Sequence, residues 1–257
     1  MKIRWGLACV GMVISASAPL RSAEVAIAAA SNLVFVIEDL ASAHRDVAPE
    51  TELRISTAAS GNLTAQIAQG APFDIFISAD LEYPRALIAQ NHAVESTLFV
   101  FARGVLCLWP AHTGTERGVQ VLSLPSVRRI AIPNPDTTPY GRAVQQLLIQ
   151  REIWTAVRAK SVFGENVAQT YHFIDSGNAD IGFVSVSLLH ASQPSRVAEA
   201  WVVPASEVDL PHGAVLLRRS ESHAAARAFL LWLGSNQAQE ILHQHGYLPG
   251  KPGRPQT

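Results

Sequence analysis

The chain has 257 residues and balances 20 Lys and Arg against 21 Asp and Glu, for a formal net charge of −1 at pH 7. This balance argues against nucleic acid as a partner, because nucleic-acid-binding proteins need a strongly basic face. Hydrophobic residues make up 48% of the chain and charged residues 16%, which is typical of a globular protein with one large or two medium domains.

Residues 1–23 are interpreted as a secretory signal peptide, because Lys2 and Arg4 precede an apolar stretch over 6–14 and small residues follow. Cleavage after Ala23 and cleavage after Ala18 are both open. An uncleaved anchor is a third alternative, although the apolar stretch is short for a membrane span. The signal predicts a periplasmic protein.

Cys107 would be the one cysteine left after cleavage of the signal peptide. A single thiol cannot form an intrachain disulfide, and the strand pattern around it predicts a small buried apolar residue.

A strand–turn–helix unit is predicted four times along the chain. Each unit has a short apolar strand, a turn, and then apolar residues on one helical face. The predicted strands span 25–30, 53–56, 127–132 and 159–163, and the helices after them begin at Ser31, Ser60, Tyr140 and Val167. The residues at these starts could serve only as helix caps, and that alternative stays open here.

The remaining pattern predicts two lobes. Further strands are expected at 75–77, at 98–109 with a break at 103–104, and at 181–186; further helices are expected at 81–90, 222–234 and 236–246. Crossovers near Gly104 and over 204–213 would divide the chain into lobe 1 (24–103 plus 206–257) and lobe 2 (104–205). The predicted class is α/β, with a mostly parallel sheet flanked by helices in each lobe and a cleft between the lobes.

The four helix starts predict an anion site in that cleft. In open α/β sheets, such starts lie at the carboxyl ends of the strands, where ligands bind. Unpaired N–H groups and the positive end of the helix dipole favour an oxyanion there. Hydroxyl and N–H donors from both lobes could therefore hold an anion without a fully charged side chain.

Several segments resemble the periplasmic molybdate-binding proteins of ABC transporters, the ModA family of type II periplasmic binding proteins. The similar segments are 29–32 (AASN), 59–63 (ASGNL), 70–80 (GAPFDIFISAD), 139–141 (PYG), 182–184 (GFV), 211–217 (PHGAVLL) and 246–247 (GY). Each segment is weakly specific, but their order and spacing cover nearly the whole mature chain.

The resemblance implies hydroxyl and backbone N–H ligands for the oxyanion, with no direct metal ligand. They would be Ser31, Asn32, Ser60, Tyr140 and Val167. Ser185 is an additional candidate, because some members carry at this position a tyrosine whose hydroxyl touches the oxyanion. Members with Asn after the first Ser and Tyr before the Gly form a second pattern, which this chain follows.

The function implied is capture of molybdate, and also of tungstate, for delivery to a membrane permease. A monomer without a cofactor and without enzymatic activity is expected. The alternatives are another tetrahedral oxyanion such as sulfate, or a secreted serine hydrolase that uses Ser31 or Ser60. A hydrolase would need a histidine base, and no histidine lies beside these helix starts in the sequence.

The sequence argues against two other functions, an ATPase and a metal site. No Gly-rich phosphate-binding loop occurs, so the chain is not the ATPase of a transporter. His243 and His245 could suggest a metal site, but side chains two residues apart on a helix point in different directions. A solvated helix face is predicted for them instead.

Overall fold

The computed structural model describes residues 23–110 and 118–250. Residues 1–22 of the predicted signal peptide and 251–257 of the predicted lobe 1 lie outside these ranges. Within them, none of the helices is both long and apolar enough to cross a membrane.

Eleven strands form in the described residues. They are β1 (Ala23–Ala30), β2 (Thr51–Ala58), β3 (Ile75–Ser78), β4 (Phe99–Gly104), β5 (Leu106–Trp109), β6 (Ile130–Pro133), β7 (Ser161–Gly164), β8 (Ile181–Ser185), β9 (Trp201–Val202), β10 (Leu210–Leu216) and β11 (Leu248–Pro249).

Nine α-helices connect these strands in the part of the chain that the structure describes. They are α1 (Val36–Val47), α2 (Ser60–Ala68), α3 (Glu82–Ala89), α4 (Pro139–Gln150), α5 (Trp154–Arg158), α6 (Val167–Asp175), α7 (Val186–Ser192), α8 (Ala224–Leu233) and α9 (Asn236–Gln244). Short 3-10 helices lie at Ser31–Leu33, Glu95–Thr97, Gly118–Ser123, Pro194–Glu199 and Arg218–Ser220.

The strands form two sheets, one in each lobe. The first sheet has the order β11-β4-β10-β3-β1-β2, and the second has the order β7-β6-β8-β5-β9. The chain leaves the first sheet after Gly104 and enters the second at Leu106. It returns between β9 and β10. The two-lobed α/β class predicted from the sequence is therefore confirmed.

The pairing within each sheet is mixed. β1 lies parallel to β2 and β3, and β6 lies parallel to β7 and β8. The strands next to the crossovers, β4, β5 and β10, pair antiparallel to their neighbours. β5 and β10 enter their sheets directly from the other lobe, with no helix before them to impose parallel pairing. β4 follows α3, but β10 lies between it and β3 in the sheet.

The central strands β1 and β3 of the first sheet are buried on both faces, as their apolar residues require. Ile27 and Ile75 belong to a cluster with Leu40 of α1. The alternate residues Ala28 and Phe76 face the other side of the sheet and pack with α2 and α3. This packing fixes the ends of β1 and β3, from which the candidate site is built.

Two predicted boundaries in the second half of the chain are wrong. The strand expected at 181–186 ends at Ser185, and α7 follows it directly, where no helix was predicted. Residues 181–189 form an almost continuous apolar run, in which periodicity cannot separate strand from helix. In addition, β10 begins at Leu210, inside the predicted crossover at 204–213.

Cys107 lies on β5 and has an exposed fraction of 0%. Its Sγ lies 3.5 Å from the carbonyl oxygen of Val184. Burial raises the pKa of the Cys107 thiol, so this residue behaves as the buried apolar side chain predicted from the sequence.

Candidate functional site

Ser31 and Asn32 form the turn at the carboxyl end of β1. They begin the 3-10 helix Ser31–Leu33, which Ala30 precedes in extended conformation. Both residues are nearly inaccessible, with exposed fractions of 5% and 2%. Among the described residues, the Ser31 hydroxyl has no hydrogen-bond partner, so it is free to donate to a ligand.

Ser60 opens α2 at the carboxyl end of β2, and its exposed fraction is 1%. The capping position belongs to Ala59, so the Ser60 hydroxyl does not cap its helix. Its oxygen instead accepts a hydrogen bond of 3.3 Å from the backbone N–H of Ala79. With the oxygen engaged in this way, the hydroxyl hydrogen remains available for an anion.

Tyr140 and Val167 occupy the first turns of α4 and α6, and neither side chain caps the helix. The Thr138 hydroxyl caps α4 by accepting from Gly141 N–H at 2.9 Å. The Asn166 side chain caps α6 by accepting from Gln169 N–H at 2.9 Å. In the described residues, the N–H groups of Tyr140 and Val167 donate to no other backbone carbonyl, as expected for first-turn donors.

Contacts between the lobes bring these helix starts together. Gly61 N–H, next to Ser60, donates at 2.9 Å to the carbonyl of Thr137 in the loop before α4. The Asn62 side chain donates at 3.2 Å to Glu165, just before α6. A Cβ on Gly61 would lie only 2.9 Å from the Thr137 oxygen, so this approach requires glycine. The turn at Ser31–Leu33 packs on α6 as well.

Asn32 is also the centre of a buried polar network. Its side-chain Nδ2 donates to His212 Nε2 and to the Tyr247 hydroxyl, both at 2.8 Å. The Tyr247 hydroxyl donates back to the Asn32 carbonyl at 2.9 Å. Sequence reasoning assigned no role to His212 or Tyr247, although both lie in segments that carry the family resemblance.

His212 is held in its neutral form. Burial lowers the pKa of its imidazole to about 4, against the opposing effect of the hydrogen bond to Leu210. No positive charge therefore reaches the Asn32 turn from this ring at neutral pH. Burial also raises the pKa of the Tyr140 and Tyr247 hydroxyls, so both tyrosines stay neutral.

Ser185 is completely buried at the end of β8. Its oxygen caps α7 by accepting from Leu188 N–H at 3.4 Å. Its hydroxyl donates to the Ser187 oxygen at 3.0 Å, because the single hydrogen of the Ser187 hydroxyl goes to the Asn32 carbonyl, which can only accept. Both contacts lie within its own lobe, in contrast to the Ser187 hydroxyl, which also lies 3.1 Å from the Asn32 carbonyl.

Arg142, two residues after Tyr140, forms ion pairs with the other lobe at the rim of the cleft. Arg142 of α4 pairs with Asp80 and lies 3.4 Å from Glu82. Its guanidinium also donates at 2.9 Å to the Tyr83 hydroxyl. The positive charge of Arg142 is therefore matched by carboxylates of the other lobe.

The two histidines near the C-terminus lie in separate surroundings, and the solvated helix face predicted from the sequence holds for His243 and is wrong for His245. His243 is exposed, while His245 lies 2.7 Å from Asp39 of α1. Across 23–110 and 118–250, no group of three His, Cys, Asp or Glu side chains is arranged to hold a metal ion.

Comparisons with known proteins point in one direction. Residues 25–248 match the family described as bacterial extracellular solute-binding protein. The chain is 32% identical over 232 residues to the molybdate-binding protein ModA of Azotobacter vinelandii, covering 88% of this chain and 90% of that protein. It is 29% identical to ModA of Rhodobacter capsulatus over 247 residues, 96% of each chain.

Solved structures give the same result. The periplasmic molybdate-binding protein of Azotobacter vinelandii superposes with a TM-score of 0.80 at 30% identity, covering 87% of this chain and 98% of that chain. The sulfate-binding protein SubI of Mycobacterium tuberculosis superposes with a TM-score of 0.75 at 12% identity, covering 90% and 88%. The second likeness shows a shared fold alone.

Proposed function

The chain belongs to the bacterial extracellular solute-binding proteins, within the ModA group, and from this premise we propose that it captures molybdate for an ABC transporter. One observation carries the proposal. The starts of α2, α4 and α6 are joined across the lobes by the Gly61–Thr137 and Asn62–Glu165 hydrogen bonds. The proposal places donors from both lobes around a common space that a small oxyanion could fill.

The proposed ligands are the hydroxyls of Ser31 and Ser60 and the N–H groups of Asn32, Ser60, Tyr140 and Val167. All are neutral, so the anion would be held by aligned dipoles and hydrogen bonds. Such a donor set suits a fully deprotonated dianion. Monohydrogen phosphate carries a proton that would face a donor, which leaves a buried group unpaired at a cost of about 1–3 kcal/mol.

The proposal extends to tungstate, which has the same charge and shape as molybdate. It also includes periplasmic location through the signal peptide at 1–23, a monomeric state and a membrane permease as partner. The lobe boundaries at 24–103 plus 206–257 and at 104–205 are part of it. Ser185 is left out of the ligand set, because its hydroxyl hydrogen is donated to Ser187 and its oxygen caps α7.

A sulfate-binding protein is the first competing function, since the fold is shared with SubI. A serine hydrolase is the second. Among the described residues, no histidine ring hydrogen-bonds to Ser31 or Ser60, and His212 Nε2 is bonded to Asn32. Nucleophilic catalysis by serine requires such a base, which favours binding over hydrolysis.

Titration calorimetry with competing anions tests the proposal. Molybdate and tungstate should each bind one site per chain, and far more tightly than sulfate or phosphate. Sulfate binding of comparable affinity would overturn the choice of anion. Turnover of an activated ester that disappears in Ser31→Ala or Ser60→Ala would support the hydrolase instead.

A further inference from the structure

Three distant segments of the chain meet at Asn32. Tyr247 comes from the turn before β11, His212 from β10, and Ser187 from α7 of the second lobe. The Asn32 carbonyl accepts from both the Tyr247 hydroxyl at 2.9 Å and the Ser187 hydroxyl at 3.1 Å. All four residues are at most 5% exposed, so these hydrogen bonds are shielded from water.

The donors and acceptors around Asn32 determine the orientation of its side-chain amide. The Leu210 carbonyl lies 2.8 Å from His212 Nδ1, and a carbonyl can only accept, so Nδ1 carries the proton. In the neutral ring Nε2 must then be an acceptor. The Asn32 group facing Nε2 is therefore its NH₂, and the second hydrogen of that NH₂ goes to the Tyr247 hydroxyl.

Hydrogen bonds therefore hold Asn32 at its side-chain amide and at its backbone carbonyl. The amide side chain is fixed by His212 and Tyr247, and the carbonyl is fixed by Tyr247 and Ser187. With both fixed, the backbone dihedrals of Asn32 have little freedom. Its N–H, one of the proposed ligands, is then held in one direction before the anion arrives.

We propose that Tyr247 and Ser187 are positioning residues for anion binding, which act through Asn32 without touching the anion. The inference rests on the proposed function. Its physical basis is preorganisation: a donor fixed in advance loses less freedom on binding than a mobile one. Because Tyr247 and Ser187 are donors to the same carbonyl, each supports the orientation that the other favours.

The two positioning residues have different roles, since they belong to different lobes. Tyr247 and Asn32 both belong to the first lobe, so their hydrogen bonds need no contact between the lobes. The Ser187–Asn32 bond crosses from α7 to the first lobe. Tyr247 therefore prepares the donor, and Ser187 secures it when the lobes meet around the anion.

The test compares Tyr247→Phe and Ser187→Ala with two matched controls. Tyr171→Phe removes a hydroxyl that bonds Arg196 at 2.7 Å on the second lobe. Ser192→Ala removes a hydroxyl from the same helix as Ser187, where it bonds the Leu189 carbonyl at 3.0 Å. Molybdate affinity is measured by calorimetry, dissociation rates by stopped flow, and melting temperatures with and without molybdate.

We expect Tyr247→Phe to weaken molybdate binding about ten-fold, and Ser187→Ala about three- to ten-fold. The Ser187→Ala loss should appear in the dissociation rate, with the association rate unchanged. In both variants the melting temperature should fall further below that of wild type in the presence of molybdate than in its absence. A purely structural role would lower the two melting temperatures equally. The controls should bind within two-fold of wild type.

The outcomes separate this inference from the proposed function. A wild-type protein that does not bind molybdate refutes the function. Wild-type binding with unchanged affinity in both variants refutes the positioning role. If Tyr247→Phe fails to fold, Ser187→Ala alone tests the positioning role, because the Ser187 hydroxyl donates to the same Asn32 carbonyl. An unchanged dissociation rate in that variant would then refute the role.

Discussion

The lobes are joined by two groups of contacts that use opposite chemistry. Deep in the cleft, the groups near the proposed anion are neutral: the Ser60 hydroxyl, the Val167 N–H and the Asn32 network around uncharged His212. At the rim, full charges meet, with Arg142 against Asp80. Under the proposed function, recognition of the anion is thus separated from the attraction between the lobes.

This separation has a physical reason. A buried full charge is costly to desolvate and attracts any anion, whereas fixed dipoles select by geometry and by the absence of a proton. At the rim, burial raises the pKa of the Asp80 carboxyl, while the Tyr83 N–H, the Ser78 hydroxyl and Arg142 lower it. The neighbouring guanidinium also offsets the repulsion that Asp80 would exert on an arriving dianion.

Replacing Val167 by proline should give the largest effect, because it removes a deep donor outright. Proline is tolerated at the first position of a helix, and Asn166 before it is extended, at φ −149° and ψ 176°. The protein should therefore fold, yet bind molybdate about 100-fold more weakly. Calorimetry measures the loss, and small-angle scattering measures closure with and without molybdate.

Val167→Ala is the matched control, since it keeps the N–H and should bind within a few-fold of wild type. A Val167→Pro protein that melts normally, binds as tightly as wild type and closes around molybdate would refute the role of the backbone at this position.

Ser60→Ala and Ser31→Ala, which remove a hydroxyl, should give the next largest loss of molybdate affinity. Each loses a hydrogen bond to a charged ligand, worth about 1.5–3 kcal/mol, which corresponds to roughly a ten- to hundred-fold loss of affinity. Calorimetric titration with molybdate checks both variants. Ser185→Ala serves for comparison and should stay within a few-fold, because that oxygen caps α7; a loss as large as that of Ser60→Ala would place Ser185 among the ligands.

The ion pair at the rim should affect molybdate affinity less than the donors in the cleft. Arg142→Met removes a partly buried ion pair, with side-chain exposures of 26% and 12%, and should weaken molybdate binding about two- to five-fold. The difference from wild type should shrink as ionic strength rises, since salt screens the rim. Arg196→Met, which removes the pair with Asp175 at 2.5 Å inside the second lobe, should leave affinity unchanged.

If Arg142→Met lowers affinity as much as Ser60→Ala, the rim charge takes part in recognition. The division between a neutral cleft and a charged rim would then be wrong.

The smallest effect is expected at Tyr140. Its hydroxyl is buried and has no hydrogen-bond partner among the described residues, whereas its proposed contribution is the backbone N–H. Tyr140→Phe should therefore bind molybdate within about two-fold and melt no lower than wild type, because it removes an unpaired polar group. A ten-fold loss of affinity would show that the hydroxyl, and not only the N–H, contacts the anion.

The helix starts could be predicted from the sequence because their signals are local. Ser60 before Gly61, Asn166 before Val167 and Pro139 before Tyr140 each lie within one turn of the position that they mark. The two sheets followed from alternating apolar strands and helices. The boundary at 185–186 was missed, because strand and helix are equally apolar there.

Long-range contacts could not be read from these patterns. The Ser60 oxygen is occupied by an N–H 19 residues away, and Asn32 reaches His212 and Tyr247 across 180 and 215 residues. Nothing local in the sequence shows which hydroxyls are already occupied and which are free. The sequence alone determined where the helices of the proposed anion site begin. Folding of the lobes determined which donors stay neutral and unoccupied, because those properties depend on partners far along the chain.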